Sequence, residues 1–348
     1  MKQFPFSVGV FVLCCFLLAG CHNRQELPLP TEAGRSSAFT DSAASDMPLV
    51  GLPLPAKRLS AADISLTKDL LYDKYTLNDT YPYKDTVRSF KWDVIRNCLA
   101  YIENMQLDMA RLVVLQNYKN LNGEATLVRT FVRDAYRRVS DTLGVERYQS
   151  VPLYLPADTL VPERYGRDGT LAYLRGRVGS FCLIHPVTFE EEWLSPSRYL
   201  KQLEDSTFFN HVIFVDRLDQ NITTLERISG GVWKIRSMNP ATTGRYAPPY
   251  AQETPLGMYL LQQKKSRMVF LKDGSTATGG YAPYASRFTN GAYIHGVPVN
   301  VPRTSLIEYS QSLGTTPRSH MCVRNATSHA KFIFDWAPVE KSLVVVIE

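Results

Sequence analysis

No block of basic residues stands out in this chain, although its 348 residues carry a formal charge of +6. The positive charges are interspersed with acids, which excludes the concentrated footprint of a nucleic-acid binder and leaves at most a mild attraction to an anionic polymer. Long hydrophobic runs are scarce as well. The one near the start, Phe4 to Leu17, is too short to cross a bilayer comfortably. Neither a CxxC pair nor an HExxH helix occurs. A zinc site would have to be assembled from His320-x-Cys322 with His329 and His295, a spacing without such a core, so no metal or other cofactor is expected. Disorder is excluded by the remaining composition. With 45% hydrophobic and 21% charged residues the chain has enough apolar surface for two packed domains.

The apolar run follows a single charge, Lys2, and ends in Leu18-Ala19-Gly20-Cys21. That order reads as a secretory leader, residues 1–20, whose small residues before a cysteine fit bacterial lipoprotein processing. Cys21 would then become a lipidated N-terminus, anchored to a membrane; cleavage of an ordinary leader nearby is the alternative. Of the six cysteines, Cys14 and Cys15 leave with the leader and Cys21 takes lipid, so Cys98, Cys182 and Cys322 remain in an exported, potentially oxidising space. Either Cys98 pairs with Cys182 and Cys322 stays free, or all three are thiols.

Residues 21–61 are rich in Pro, Ser, Ala and Thr without a sustained apolar period, and read as a flexible tether. Fully extended, it reaches on the order of 130 Å at roughly 3.3 Å per residue. Residues 62–207 follow as a mainly helical accessory domain with a few short strands. Trp92, Ile95, Leu99, Ile102, Met105, Met109 and Leu112 recur every three to four positions and predict a long helix between Phe90 and Tyr118. Leu127, Phe131, Ala135 and Val139 predict a second, from Glu124 to Thr142, with a stop at Leu143-Gly144. Pro-bounded runs between Val151 and Leu174 suggest strands, and Ser195-Pro196 starts a short helix ending near Leu203.

From residue 208 to 348 the pattern changes to closely spaced strands: His211–Asp216, Ile222–Ile228, Gly231–Arg236, Gly257–Leu261, Arg267–Leu271 and Ser342–Glu348. The fold class is therefore α+β, a helical N-terminal region followed by a mostly-β domain whose chemistry sits on the connections. There, Arg318-Ser-His-Met-Cys-Val-Arg-Asn325 places one cysteine between a histidine and an arginine. A thiol of ordinary pKa is only a few per cent thiolate at neutral pH, so a nucleophilic Cys322 needs a base close by. His22 lies in the tether and His185 outside the β region, leaving His211, His295, His320 and His329. His295 ends the strand-like Ala292-Tyr-Ile-His-Gly296 and is the preferred base. His320, two residues from the sulfur, is read as a group that shapes the pocket.

These segments resemble the L,D-transpeptidases that cross-link bacterial peptidoglycan. The family signature is Ile-His-Gly, a connecting segment, then Ser/Thr-His-Gly-Cys with a small apolar residue and Arg or Asn. This chain has Ile294-His295-Gly296 and Ser319-His320-Met321-Cys322-Val323-Arg324-Asn325. Thr242-Thr243-Gly244 and Thr254-Pro255-Leu256-Gly257 look like the family's upstream turns, and Ile213–Asp216 with Thr224-Leu225 like its opening hairpin. The likeness runs from about Phe208 to Glu348. Met321 replaces the glycine before the nucleophile, and twenty-three residues separate His295 from Ser319, more than the family usually shows. If that glycine position needs a positive φ, methionine is strained there; otherwise the change narrows the pocket.

The resemblance implies that Cys322 attacks a stem peptide ahead of its terminal D-Ala and forms a thioester, which a second stem's amine resolves into a 3-3 cross-link. It implies that the Gly296 carbonyl orients His295, that the Met321 and Cys322 amides form the oxyanion site beside Ser319, and that Arg324 holds a donor carboxylate or shapes the loop. Water as acceptor would give an L,D-carboxypeptidase; a further alternative is a wall-binding lipoprotein without turnover. The implied setting is the cell envelope, with a monomer held by lipid and facing the periplasm.

Overall fold

Two runs that are apolar at every position, Val212–Val215 and Leu343–Ile347, lie side by side in parallel, with Ile213 opposite Val344 and Val215 opposite Val346. Successive side chains on a strand point to opposite faces. Accordingly Val212, Phe214, Leu343, Val345 and Ile347 enter one core, while Ile213, Val215, Val344 and Val346 enter another. A strand buried on both faces needs no polar alternation, which is why these runs are continuous. They form the middle of a six-stranded sheet ordered Ser65–Lys68, Val232–Pro240, Asn221–Ser229, His211–Asp216, Ser342–Ile347 and Gly257–Leu260.

The computed structural model describes residues 57–108 and 111–348. The leader, Cys21, the tether up to residue 56 and Met109 of the predicted helical stripe lie outside the described residues. The described residues form one compact unit. No helix among the described residues is long and apolar enough to cross a membrane.

The predicted stripe forms helix α1, Trp92–Leu107, and its Ile95, Leu99, Ile102 and Met105 pack on the first face of the sheet. Each such side chain contributes roughly 1.5–3 kcal/mol when fully buried. Glu103 sits on the same buried face and is fully partnered: its carboxylate accepts from Arg227 Nε at 2.9 Å, Trp233 Nε1 at 2.9 Å and the Gly231 amide at 3.1 Å. Those bonds offset the cost of burying a charge and fix α1 on the sheet. Residues 57–63 lie along the same helix, where the Asn104 amide bonds both backbone groups of Leu59.

On the other face lies a second sheet, ordered Gln263–Leu271, Thr278–Thr289, Ala292–His295 and Val323–Arg324, with Val299–Asn300 also on Thr278–Thr289. Its Phe288, Ala292, Ile294 and Val323 fill the space between the sheets, together with Ile333 of helix α2, Thr327–Trp336. The six strands expected after residue 208 are all present; α2 was not expected.

The N-terminal region departs from its helical reading. Apart from α1 it contains a five-stranded sheet, ordered Trp193–Pro196, Phe181–Pro186, Leu171–Val178, Leu112–Leu115 and Leu200–Gln202, and short hairpins. The predicted α1 pattern was too long because Leu112–Leu115 is a strand of this sheet. Glu124–Thr142 is not a helix. Asp134 Oδ1 accepts the amides of Tyr136 and Arg138, and Asp141 Oδ1 those of Leu143 and Val145. Such aspartate turns compete with the helix for the same backbone donors, and Arg137 at φ 63° breaks it. The hairpin Phe131–Arg133 with Val139–Asp141 results. Ser195–Leu203 is likewise two strand ends around a single 3-10 turn, Ser197–Tyr199, because both flanks pair with the sheet. Cys98, Cys182 and Cys322 are all free, so the first two do not bridge.

Candidate active site

Strand Ala292–His295 runs parallel to Val323–Arg324, with Ile294 opposite Val323 and His295 opposite Arg324. Ile294 and Val323 point into the core between the sheets. Alternation therefore turns His295, Arg324 and the preceding Cys322 to the other side. There the thiol, the imidazole and the guanidinium line one cavity of about 980 Å³.

His295 is 3% exposed, and its Nδ1 is 2.6 Å from the Gly296 carbonyl. A carbonyl only accepts, so Nδ1 carries the proton and Nε2 is left as a lone pair. Burial pushes this histidine down to about 4, the charge of Arg324 adds to the shift, and the Gly296 bond opposes it. Cys322 is half-buried, with Sγ 3.6 Å from the Gly291 carbonyl. Burial pushes its thiol up to about 11, opposed by the Tyr293 backbone and by Arg324. Both groups are neutral at pH 7, so the resting pair is thiol and imidazole.

The turn that presents the thiol is built from the Thr-rich segments. Thr242 and Arg324 exchange backbone hydrogen bonds at 2.9 and 2.8 Å, and the Thr243 carbonyl accepts the Arg318 amide at 2.9 Å and the Ser319 amide at 3.1 Å. Thr254 Oγ1 accepts the Gly244 amide and donates to the Met321 carbonyl, both at 2.8 Å. Gly244 has no alternative here, since a Cβ would lie 2.3 Å from the Gln252 carbonyl and 2.7 Å from Met321 Cα. Gln220, which carried no signal in the sequence, holds Thr243 by its amide and hydroxyl. Ser319 is buried; its hydroxyl donates to the Cys322 carbonyl and receives the Met321 amide at a long 3.4 Å. Met321 has φ 135°, a region where glycine is at ease and other residues are strained. Its side chain packs toward the core between the sheets and does not line the cavity.

His320 lines the cavity, and its Nε2 meets Asp273 Oδ2 at 3.0 Å, in the turn that joins Gln263–Leu271 to Thr278–Thr289. His329 is elsewhere. Both its ring nitrogens are engaged, with Ser237 Oγ at 2.9 Å and Asn325 Oδ1 at 3.2 Å, inside α2's packing surface. His211 lies against Trp336. Of the donors that a zinc reading needs beside Cys322, His329 is therefore outside the cavity, and no group of three or more His, Cys, Asp or Glu placed to hold a metal ion occurs among the described residues.

Residues 210–347 match the L,D-transpeptidase catalytic domain family, YkuD. None of the curated proteins matches the chain. Among solved structures, an L,D-transpeptidase from Mycobacterium tuberculosis H37Rv is 21% identical over 65% of this chain and 94% of its own, with a TM-score of 0.34. L,D-transpeptidase 3 from Mycobacterium tuberculosis, in complex with a faropenem-derived adduct, is 19% identical over the same shares at 0.34. An L,D-transpeptidase from Mycobacterium smegmatis is 17% identical over 51% of this chain and 82% of its own, at 0.33.

The YkuD match includes every residue of the cavity described above, but not all that supports it. Asp168, fully buried and outside the match, accepts the Asn117 and Tyr118 amides at 2.8 and 3.0 Å with one oxygen. Its other oxygen takes Gln262 Nε2 at 2.9 Å and Arg287 Nη1 at 2.5 Å. Arg287 lies 4.2 Å over the Tyr118 ring, and the Tyr118 hydroxyl meets that of Tyr293, on the strand of His295. Nothing in the spacing of these residues announced the cluster, because its members come from five separate segments.

Proposed function

We propose that the chain is an L,D-transpeptidase that acts on peptidoglycan stem peptides, with Cys322 as nucleophile and His295 as base. The observation that carries this reading is the common cavity. A thiol just ahead of one strand and an imidazole with a free Nε2 at the end of its parallel neighbour face the same space, within a segment that matches the catalytic domain family.

In this reading the Cys322 proton passes to His295 Nε2 as sulfur attacks the carbonyl between the third stem residue and D-Ala. The C–S bond forms, and the oxyanion is met by the Cys322 and Met321 amides; the long Met321–Ser319 contact leaves that donor available. Collapse breaks the C–N bond, and the imidazolium returns its proton to the departing D-Ala amine. The acceptor amine then attacks the thioester, loses a proton to Nε2, and the thiol leaves with it. Gly296 holds the ring in the required tautomer throughout. Because both partners rest neutral, proton transfer accompanies attack. The lipidated Cys21, the tether and an envelope location facing the periplasm, with the chain as a monomer, complete the proposal.

Incubating the purified protein with disaccharide-tetrapeptide tests it. The expected products are free D-Ala and a 3-3 dimer, both absent with Cys322→Ala. Plain tripeptide in place of dimer would identify a carboxypeptidase. Dimer formation that survives Cys322→Ala would exclude the nucleophile, and no product from either protein would favour a wall-binding role.

A further inference from the structure

Arg324 enters the cavity beside His295, and its Nε is buried without a hydrogen-bond partner. Arg245 and Arg318 line the same space. Their backbones flank the nucleophile turn: the Arg245 amide donates to the Ser319 carbonyl at 3.0 Å, and the Arg318 amide to the Thr243 carbonyl at 2.9 Å. None of the three guanidinium groups has an acidic partner among the described residues. The one carboxylate on the cavity wall, Asp273, is already engaged with His320. Burial is the main cause that pushes Arg324 down; Cys322 opposes the shift, and the like charges of Arg245 and Arg318 add to it. Guanidinium forks match carboxylates in shape and charge, so the arrangement is completed by an anionic ligand.

We propose that Arg245, Arg318 and Arg324 form a carboxylate subsite beside Cys322 that selects a dianionic donor peptide. One carboxylate is the terminal one, and the second is free on the side chain of the third stem residue. A single carboxylate leaves two guanidinium charges in excess, whereas two carboxylates leave only one. A donor whose side-chain carboxylate is converted to a carboxamide keeps the shape but loses that charge. This selection rests on the transpeptidase reading of the same site; the charge preference of the thiol's surroundings does not.

Two measurements on the full-length protein separate the two. The first alkylates Cys322 with iodoacetate or iodoacetamide, followed by the mass of the Cys322 peptide, and compares the rate ratio with that of a free-thiol peptide. The expected ratio is about ten-fold in favour of the anionic reagent, weakened by salt and lost in a folded R245M/R318M variant. A ratio no higher than the free peptide's overturns the subsite. The second compares tetrapeptide donors with a free or amidated side-chain carboxylate. The expected kcat/KM is about ten-fold higher for the free acid, a difference that disappears in R245M/R318M. Equal rates overturn the selection. Anionic preference at Cys322 with turnover of neither donor keeps the subsite and removes the transpeptidase reading.

Discussion

The hydroxyl oxygens of Tyr118 and Tyr293 lie 3.0 Å apart, joining a residue outside the YkuD match to the strand that carries His295. Behind Tyr118 stands the buried Asp168–Arg287 pair. Removing one member of such a pair leaves an uncompensated charge, so Asp168→Asn should cost roughly 3–5 kcal/mol. Tyr118→Phe removes one hydrogen bond and should cost about 1 kcal/mol. Urea unfolding midpoints of the two variants check this ordering. An Asp168→Asn protein as stable as the wild type would mean that the N-terminal segments do not brace the site.

A second expectation concerns Met321. At φ 135° any residue with a Cβ is strained, by about 1–3 kcal/mol, and glycine is not. Met321→Ala keeps the strain and loses contacts with the core between the sheets; Met321→Gly loses the same contacts but relieves the strain. The glycine variant should therefore be more stable than the alanine variant by about 1 kcal/mol, the reverse of the usual order. Thermal unfolding of both decides it, and an alanine variant that melts higher would place the strain elsewhere.

How much of this was visible beforehand depends on the kind of signal. Val212–Val215 and Leu343–Ile347 announced buried strands because a sheet covered on both faces needs nothing but apolar residues. The site cluster was readable because Ile294-His295-Gly296 and Ser319–Arg324 each form a short contiguous run, and the parallel pairing of their strands brings them together. Periodicity misled between Glu124 and Thr142, where a four-residue apolar spacing suits a helix but Asp134 and Asp141 claim the backbone donors for turns. Glu103, Gln220 and Asp168 were silent for another reason. Buried polar residues gain their meaning from partners distant in the chain, and no local pattern records those.

The thiol makes a third prediction. With Cys322 pushed up to about 11 and no preformed thiolate, its alkylation by iodoacetamide in the free protein should rise about ten-fold per pH unit from 7 to 9.5 without a plateau. Arg324 lowers that thiol, so Arg324→Met should slow labelling several-fold at each pH. Stopped labelling read by peptide mass measures both. A plateau reached below pH 7 would instead reveal a standing thiolate–imidazolium pair and remove the neutral resting state.

The buried His329 adds a pH dependence of stability that is separate from the chemistry. Burial lowers it from 6.5 to about 3, and its nitrogens are committed to Asn325 and Ser237 beside the Tyr72 and Phe332 rings. Between these two values the unfolded chain holds the proton and the folded chain does not. Its stabilising share is thus complete above about pH 6.5 and is lost as the pH falls toward 3, at no more than about 1.4 kcal/mol per pH unit. His295, lowered to about 4, acts in the same direction over a narrower window. His329→Gln retains a donor and an acceptor without titrating, so its stability should fall less steeply on acidification than that of the wild type. Urea unfolding at pH 7, 6, 5 and 4 supplies both slopes. Because the carboxylates are common to the two proteins, parallel curves would show that the wild-type loss comes from them and not from His329.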